Sequence, residues 1–135
     1  MANRCENELR ISGKKAKIAE AIKLLKTEKT DLDFDKIIPS FGRNSHEWYV
    51  TNWGSMSNAD DASIKVTTRN VCLSFLTVVS PPVHVVSKLS EKFPDLVFDL
   101  KYWECGVGYK GHRVYQDGNP VKVWESQSYR GNRGG

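Results

Sequence analysis

The chain has no apolar run that approaches the about 18 residues a membrane-spanning helix needs, so we expect no membrane partner. Its opening residues turn polar at once and contain no apolar stretch of the signal-peptide type. Its three cysteines, at positions 5, 72 and 105, form no short-spaced framework and cannot all pair with one another. These absences predict a protein of a reduced, cytoplasmic compartment.

The sequence also lacks the spacings that metal and catalytic sites use. It has no G-x-S-x-G motif, and no Cys or Ser has a His and a carboxylate that the sequence would place beside it. The segment from Gly106 to Gly111 matches G-x-G-x-x-G but leads into a strand, which predicts a backbone bend or bulge rather than a phosphate site. We therefore predict no catalytic residue, no cofactor and no metal. The candidate metal ligands, which show no C-x-x-C or H-x-x-x-H spacing, are Cys5, Cys72, Cys105, His46, His84 and His112.

What is present suits one folded domain with a local excess of positive charge. A chain of 135 residues is long enough to bury roughly two-thirds of its unfolded surface. The 39% hydrophobic and 27% charged residues are ordinary for a globular protein, and the formal net charge is +4. Between Lys14 and Lys29 six lysines face only two glutamates, so this segment carries the whole excess. It is either a basic surface for an acidic partner or the solvated face of an amphipathic helix.

Hydrophobic periodicity predicts the order strand, helix, strand, strand, helix, strand. Alternating residues predict strands over 7–12, 63–68, 71–79 and 97–105. A helical period from Lys14 onward places Ile18, Ala21, Ile22 and Leu25 on one face. Ser80 is the predicted N-cap of the second helix, with Pro81 and Pro82 in its first turn. With right-handed crossovers this order predicts an α+β, ferredoxin-like βαββαβ antiparallel sheet, in the spatial order 4-1-3-2, with two helices on one face.

The remaining segments are predicted to decorate this single domain. Asp117-Gly118 lies between two alternating runs, 111–115 and 120–125, and this is a strong hairpin signal. On the predicted topology Cys5 lies near Cys105 while Cys72 lies at the opposite end of the sheet. This arrangement disfavours a three-cysteine site and leaves a Cys5–Cys105 thiol pair open. The predicted boundaries are a domain over 1–125, an aromatic insertion over 39–62, an extra hairpin over 106–125 and a flexible Arg/Gly tail over 126–135.

Several segments that occur in this order resemble the YubB-like ferredoxin-like domain family of plasmids and bacteriophages. The similarity runs through about residues 2 to 118. It implies the ferredoxin-like fold, a bacterial cytosolic setting and a mobile-element origin, and it supplies no catalytic residues. The segments that carry the resemblance are Ala2-Asn3, Cys5, Asn7-Glu8-Leu9, Ile37-Ile38-Pro39, Trp48-Tyr49, Asn52-Trp53-Gly54, Asn58-Ala59, Phe75, Thr77, Ser80-Pro81-Pro82, Phe93-Pro94, Gly106-Val107-Gly108-Tyr109 and Gly111.

The central strands of the predicted sheet do not carry the stacking aromatics of an RRM domain. The open side of strand 1 would present Glu8, Arg10 and Ser12. The open side of strand 3 would present Cys72, Ser74 and Leu76. RNA recognition of the RRM type, in which bases stack on aromatics of these two strands, is therefore disfavoured.

The lysines and the many aromatic side chains favour a binding function. Aromatic and arginine side chains dominate protein-interface hot spots, although the rings of the insertion would equally suit a second small core. Trp103 shares its strand face with Asp99 and Lys101, so it is predicted to point away from the main core. The predicted binding residues are Lys14, Lys15, Lys17, Lys23, Lys26, Trp48, Tyr49, Trp53, Lys101, Trp103, Tyr109, Arg113, Arg130 and Arg133.

We therefore expect a non-catalytic accessory binding protein of a phage or plasmid, which modulates or inhibits host machinery. Its partner would be a host protein or ribonucleoprotein complex in the bacterial cytoplasm, and its sharpest form would be an anti-defence inhibitor of the anti-CRISPR type. The alternative is a nucleic-acid-binding protein that uses the basic helix and the Arg/Gly tail in salt-sensitive phosphate contacts. A small enzyme or metal protein is the third possibility.

Overall fold

The computed structural model describes residues 3–67, 69–104, 106 and 108–127, and in them the chain forms a six-stranded antiparallel sheet. Its strands lie in the order β2-β3-β1-β4-β5-β6. The predicted order 4-1-3-2 is confirmed, and the extra hairpin extends the sheet beyond β4. The elements are β1 Arg4–Ser12, α1 Lys15–Leu25, α2 His46–Trp53, β2 Asp60–Val66, β3 Asn70–Val78, α3 Val83–Lys92, β4 Val97–Glu104, β5 Tyr109–Gln116 and β6 Asn119–Ser126.

The hydrophobic core lies between one face of the sheet and the helices, as alternation along the strands requires. Leu9 and Ile11 of β1 are buried, and so are Phe98 and Leu100 of β4. Helix α1 turns Ile18, Ala21 and Leu25 inward, which confirms the predicted helical face. Helix α3 packs against β4 and β5. No helix of the described ranges is both long and apolar enough to cross a membrane.

The long connection before β2 contains a helix that the sequence analysis did not predict. Helix α2 begins after Ser45, whose hydroxyl oxygen accepts a hydrogen bond from the Trp48 backbone N–H at 3.1 Å. It ends at Gly54, which adopts a left-handed conformation with φ 93°. The strand that follows lies earlier in the chain than predicted, because β2 runs over Asp60–Val66 rather than over 63–68. The last three residues of the predicted insertion therefore belong to the sheet.

The start of α3 differs from the prediction. Ser80 is not the N-cap, because its hydroxyl donates a hydrogen bond to the Gly54 carbonyl oxygen at 2.8 Å. The helix begins at Val83, with Pro82 in the N-cap position and no side-chain cap. Ser80 therefore ties the end of α2 to the segment before α3, and both prolines precede the helix.

The Asp117-Gly118 turn joins β5 to β6 as predicted, with positive φ values of 53° and 78°. Such a pair is typical of the tight turns that match strand twist. The turn is also fastened to α3, since the Gly118 backbone N–H donates to the Ser90 hydroxyl oxygen at 2.9 Å. Ser126 is the last residue of β6 rather than the first of the tail, and residues 128–135 lie outside the described residues.

Candidate binding face

One side of the sheet faces away from α1 and α3, and we call it the open face. The pairing register of the strands determines which side chains lie on this face, because directly paired residues of neighbouring strands point to the same side. One row across it joins Ser74, Glu8, Lys101, His112 and Trp124. The residues of the open face on β1 and β3 to β6 include Glu6, Glu8, Arg10, Cys72, Ser74, Leu76, Asp99, Lys101, Trp103, Lys110, His112, Val114, Lys122 and Trp124.

Two tryptophans and three lysines lie on the half of the open face that β4, β5 and β6 form. Trp103 is half-buried on β4, as the predicted strand face required. Trp124 on β6 retains 49% of its full exposure. Trp103 pairs with Lys110, and Trp124 pairs with His112. This half of the sheet combines aromatic surface with positive charge.

The charges of this half are unequal in number. On β4, β5 and β6 the open face has three lysines, Lys101, Lys110 and Lys122, and one carboxylate, Asp99, while Glu8 and Glu6 of β1 pair directly with Lys101 and Trp103. The Asp99 carboxylate lies 2.8 Å from Nε2 of His112, on the neighbouring strand. The partner of Asp99 therefore belongs to the open face itself. Among the open-face residues named above, β1, β4, β5 and β6 contribute four basic side chains, Arg10 and the three lysines, and three carboxylates.

Tyr109 and Arg113 lie on the other side of β5, contrary to their predicted role in the same binding site. Tyr109 pairs with Glu104, and Arg113 pairs with the buried Leu100. The Tyr109 hydroxyl donates to the Val79 carbonyl oxygen, and burial raises the pKa of Tyr109. The Arg113 Nε–H donates to the Tyr102 hydroxyl oxygen at 3.3 Å. Both side chains therefore make structural contacts on the helix side of the sheet.

The rings of the aromatic insertion pack together as a second small core. This is the second of the two interpretations given above, the other being an exposed binding surface. Trp53 is only 3% exposed, and its indole N–H donates to the Ile38 carbonyl oxygen at 2.9 Å. Its ring stacks on Tyr49 with centroids 4.7 Å apart and meets Trp48 edge-on at 5.4 Å. Trp53 is therefore a core residue that offers almost no surface to a partner, in contrast to its predicted place in a binding site. Trp48 and Tyr49 are half-buried against the core.

The lysines around α1 do not form one basic stripe. Lys15 and Lys17 are separated by about 200° around the helix axis, since each residue advances about 100°. Lys14 precedes the helix and Lys26 follows it. The Lys17 ammonium lies 3.5 Å from the Glu20 carboxylate, and that of Lys26 lies 3.7 Å from Asp31. Exposed Lys23 completes the set, which lies on the helix side of the sheet, away from the open face.

A concave site of about 600 Å³ lies between residues 27–33 and 58–62. Three of its five carboxylates, those of Asp31, Asp33 and Asp60, have partners within the chain. The Asp60 carboxylate lies 2.7 Å from the Arg4 guanidinium, which holds the pKa of Asp60 below its usual value. The Asp33 carboxylate accepts from the Asn58 side-chain amide at 2.8 Å. Within the described residues no three His, Cys, Asp or Glu side chains form a group that could hold a metal ion.

The cysteines are separated as the predicted topology required. Cys5 pairs with Thr77 in the β1–β3 ladder, whereas Cys72 pairs with Arg10 near the other end. Cys105 lies outside the described residues, so the Cys5–Cys105 thiol pair stays a prediction. Burial, together with the charge of Glu104, raises the pKa of the Cys5 thiol to about 12. The thiol is therefore protonated at physiological pH and is not an activated nucleophile.

We expect Cys5 to resist alkylation in the folded protein. A thiol with a raised pKa stays in its unreactive protonated form until the pH approaches that pKa. Peptide-level mass spectrometry after iodoacetamide treatment at pH 8 will show unmodified Cys5, and the same treatment in denaturant will show complete modification. Rapid labelling of Cys5 under native conditions would contradict the burial and charge described above.

Sequence reasoning missed Lys110, His112, Lys122 and Trp124 as neighbours of Lys101 and Trp103. The signal was the alternation within the hairpin, because every second residue of β5 shares a face with Trp103 once the register with β4 is known. For β1 and β3 the residues predicted to lie on the open side of the sheet do lie on the open face. Arg130 and Arg133 lie outside the described residues.

Comparison with known proteins supports the fold. The family model described as the ferredoxin-like domain in Api92-like protein matches residues 48–130. A solved structure, the protein Api92 from Yersinia pseudotuberculosis, is similar to this chain with a TM-score of 0.71 and 12% sequence identity. The similarity covers 93% of this chain and 98% of that one. A search of curated proteins finds none that matches this chain.

Proposed function

The chain belongs to the family of ferredoxin-like domains in Api92-like proteins, and from this premise we propose that it is a non-catalytic binding protein that docks through its open face. The observation that carries the proposal is the half-exposed Trp124 among lysines, on a side of the sheet that neither α1 nor α3 covers. An aromatic ring at the surface supplies apolar area at low entropic cost, and it is the type of residue that anchors interfaces. The surrounding lysines would speed association with an acidic partner.

The proposal includes the setting that the sequence resemblance implies. The protein would be encoded by a plasmid or bacteriophage of the YubB-like kind and would act in the bacterial cytoplasm. Its partner would be a host protein or ribonucleoprotein complex, which it would modulate or inhibit by covering an acidic surface. The most specific version of this proposal is inhibition of a defence complex, of the anti-CRISPR type. The chemistry required is contact alone, which suits a face built from tryptophan and lysine.

A second candidate, direct nucleic-acid binding, is favoured by the two tryptophans that lie among lysines on β4 to β6. Bases stack on aromatic rings without sequence preference, and lysines contact the phosphates. The open face offers both groups together, whereas α1 contains lysines but no aromatic residue. On this hypothesis the outer strands, rather than the central ones, would serve as the stacking surface.

We expect substitutions on the open face to abolish partner binding without unfolding the protein. The variants are Trp124→Ala and Lys101→Glu, and the matched control is Lys92→Glu, at an exposed lysine of α3. Tagged protein is incubated with bacterial lysate, with and without nuclease, and the captured partners are quantified by mass spectrometry. We expect each open-face variant to lose at least about tenfold of a nuclease-resistant partner, since a central aromatic anchor contributes roughly 2 kcal/mol or more.

Other outcomes separate the hypotheses. Capture that disappears with nuclease, together with binding of a labelled single-stranded oligonucleotide at low salt that Trp124→Ala weakens, would favour the second candidate. Loss of the partner in a Lys23→Glu variant alone would return the binding role to α1. Equal capture by the wild type and both open-face variants would overturn the proposal.

A further inference from the structure

The two edges of the sheet differ in how they are protected from pairing with another strand. On the β2 edge the ladder is interrupted by a register shift between Asp60 and Ser63, and Asp60 and Asp61 bring two carboxylates there. Irregularity and charge of this kind discourage edge-to-edge association. The β6 edge also has a register shift, but it exposes three large apolar side chains, Val121, Val123 and Trp124 at 61%, 54% and 49%, whereas β2 exposes one, Val66 at 69%. Among the described residues no strand pairs with its outer side.

The regular part of β6 is short and well defined. A register shift opposite Val114 and Tyr115 makes Val121 a bulge residue, because Lys122 pairs with Val114 while Pro120 pairs with Tyr115. From Lys122 to the end of the strand the ladder with β5 is uninterrupted. A partner strand therefore meets five regular residues, and Trp124 is the middle one.

We propose that two copies of this chain pair antiparallel through the outer edges of β6, with Trp124 opposite Trp124. In this register Val123 lies opposite Glu125, and Lys122 lies opposite Ser126, so all five regular residues have a partner. Paired aromatic rings on neighbouring strands are among the more stabilising cross-strand pairs. The contact is isologous, as the interface of a two-fold dimer must be.

Other registers are less favourable for stated reasons. A shift of one residue would turn the second copy over, because the side-chain period of a strand is two, so the open face of one copy would continue into the helix side of the other. A shift that centres the contact on Val123 would require the bulged Val121 to pair with Glu125. A further shift in the same direction would place Lys122 directly opposite Lys122, which is repulsive.

The dimer would join two sheets into one continuous twelve-stranded sheet, since each chain contributes six strands. The two-fold axis of an antiparallel strand pair is perpendicular to the sheet, so both open faces would lie on the same side. One strand pair is small beside the roughly 800 Å² per partner of a standard interface. We therefore expect a reversible dimer whose population depends on protein concentration.

The test is sedimentation velocity of the full chain without any partner, over about 5 to 500 µM, a range that brackets a dissociation constant of roughly 50 µM. We expect the sedimentation coefficient to rise from the monomer to the dimer value. Trp124→Lys should remain monomeric, because it places two positive charges opposite each other at the centre of the contact. The matched control is Val66→Lys on the β2 edge, where Val66 is 69% exposed, and it should dimerise like the wild type. Near-UV circular dichroism confirms that each variant is folded.

Cross-linking fixes the register. In a Cys105→Ser background, oxidised Trp124→Cys should form an intermolecular disulfide, because residue 124 faces its own copy across the axis, and Val66→Cys should not. A monomer at every concentration, a dimer that Trp124→Lys leaves unchanged, or preferential cross-linking through residue 66 would each overturn the proposal. Since self-association is measured alone, its outcome is independent of the proposed partner binding.

Discussion

Replacing Trp53 with alanine will lower the free energy of unfolding by about 3–5 kcal/mol, the usual cost of deleting a large buried ring. The side chain is 3% exposed and contacts rings on several sides, including Phe34 at 5.6 Å between centroids. Its indole N–H also satisfies the Ile38 carbonyl oxygen. Alanine would leave both a cavity and an unpaired carbonyl, so the loss exceeds that of the apolar area alone.

Trp124→Ala is the matched control, since it removes the same side chain from a half-exposed position. We expect that variant to lose no more than about half as much stability as Trp53→Ala, because 49% of the Trp124 side chain stays in contact with water in the folded protein. Urea-induced unfolding, followed by far-UV circular dichroism, measures both values. Similar losses for the two variants would contradict the division into one structural and one surface tryptophan. Trp53→Phe should recover part of the stability, as it restores the ring without the hydrogen bond.

Gly111→Ala is the second substitution with a large expected effect. A Cβ at position 111 would lie 2.2 Å from Cζ and from the hydroxyl oxygen of Tyr102, which packs over the glycine from the neighbouring strand. Tyr102 is fully buried, and its hydroxyl donates to the Glu125 carboxylate at 2.7 Å, so the ring has little freedom to move. Overpacking of this kind costs about 1–3 kcal/mol, and displacing the bonded hydroxyl adds to it.

A double-mutant cycle identifies the cause. In a Tyr102→Leu background the smaller side chain leaves room for the added methyl group, so Gly111→Ala should cost about 1 kcal/mol less than in the wild type. Urea unfolding of the four proteins gives the interaction energy. An unchanged cost in both backgrounds would show that the ring is not what requires glycine. The backbone bend that the sequence predicted for the glycines of residues 106–111 occurs at Gly108, with φ 96°, whereas at position 111 it is the contact with Tyr102 that requires glycine.

The fold was predictable where local patterns were strong. Alternation in β1, β3 and β4 fixed which residues are buried, and the Asp117-Gly118 pair located the added hairpin to within two residues at each end. Helix α2 was missed because its eight residues are rich in aromatic and β-branched types, which have modest helix propensity. The sequence features that could have predicted this helix were its two capping residues, Ser45 and Gly54, which flank it.

The candidate binding face was only half predictable, because it depends on register between segments distant in the chain. The strand pattern placed Trp103 and Lys101 correctly, since one strand suffices to define alternation. Which side Arg113 and Tyr109 take depends on their pairing with Leu100 and Glu104, which local sequence does not specify. The fate of Trp53 likewise depends on a long-range contact, that with Ile38 and Phe34.

The fastening of the hairpin turn to α3 has a consequence for how the molecule opens. Gly118 bonds Ser90 through its N–H, and its carbonyl oxygen accepts from the Ser87 hydroxyl at 3.2 Å. β5 and β6 are thereby held both by the ladder and by the helix, so fraying of these two strands requires α3 to loosen as well. The strands farthest from the centre of the sheet thus belong to its cooperative unfolding unit, and amide protection along β5 should approach that of the interior.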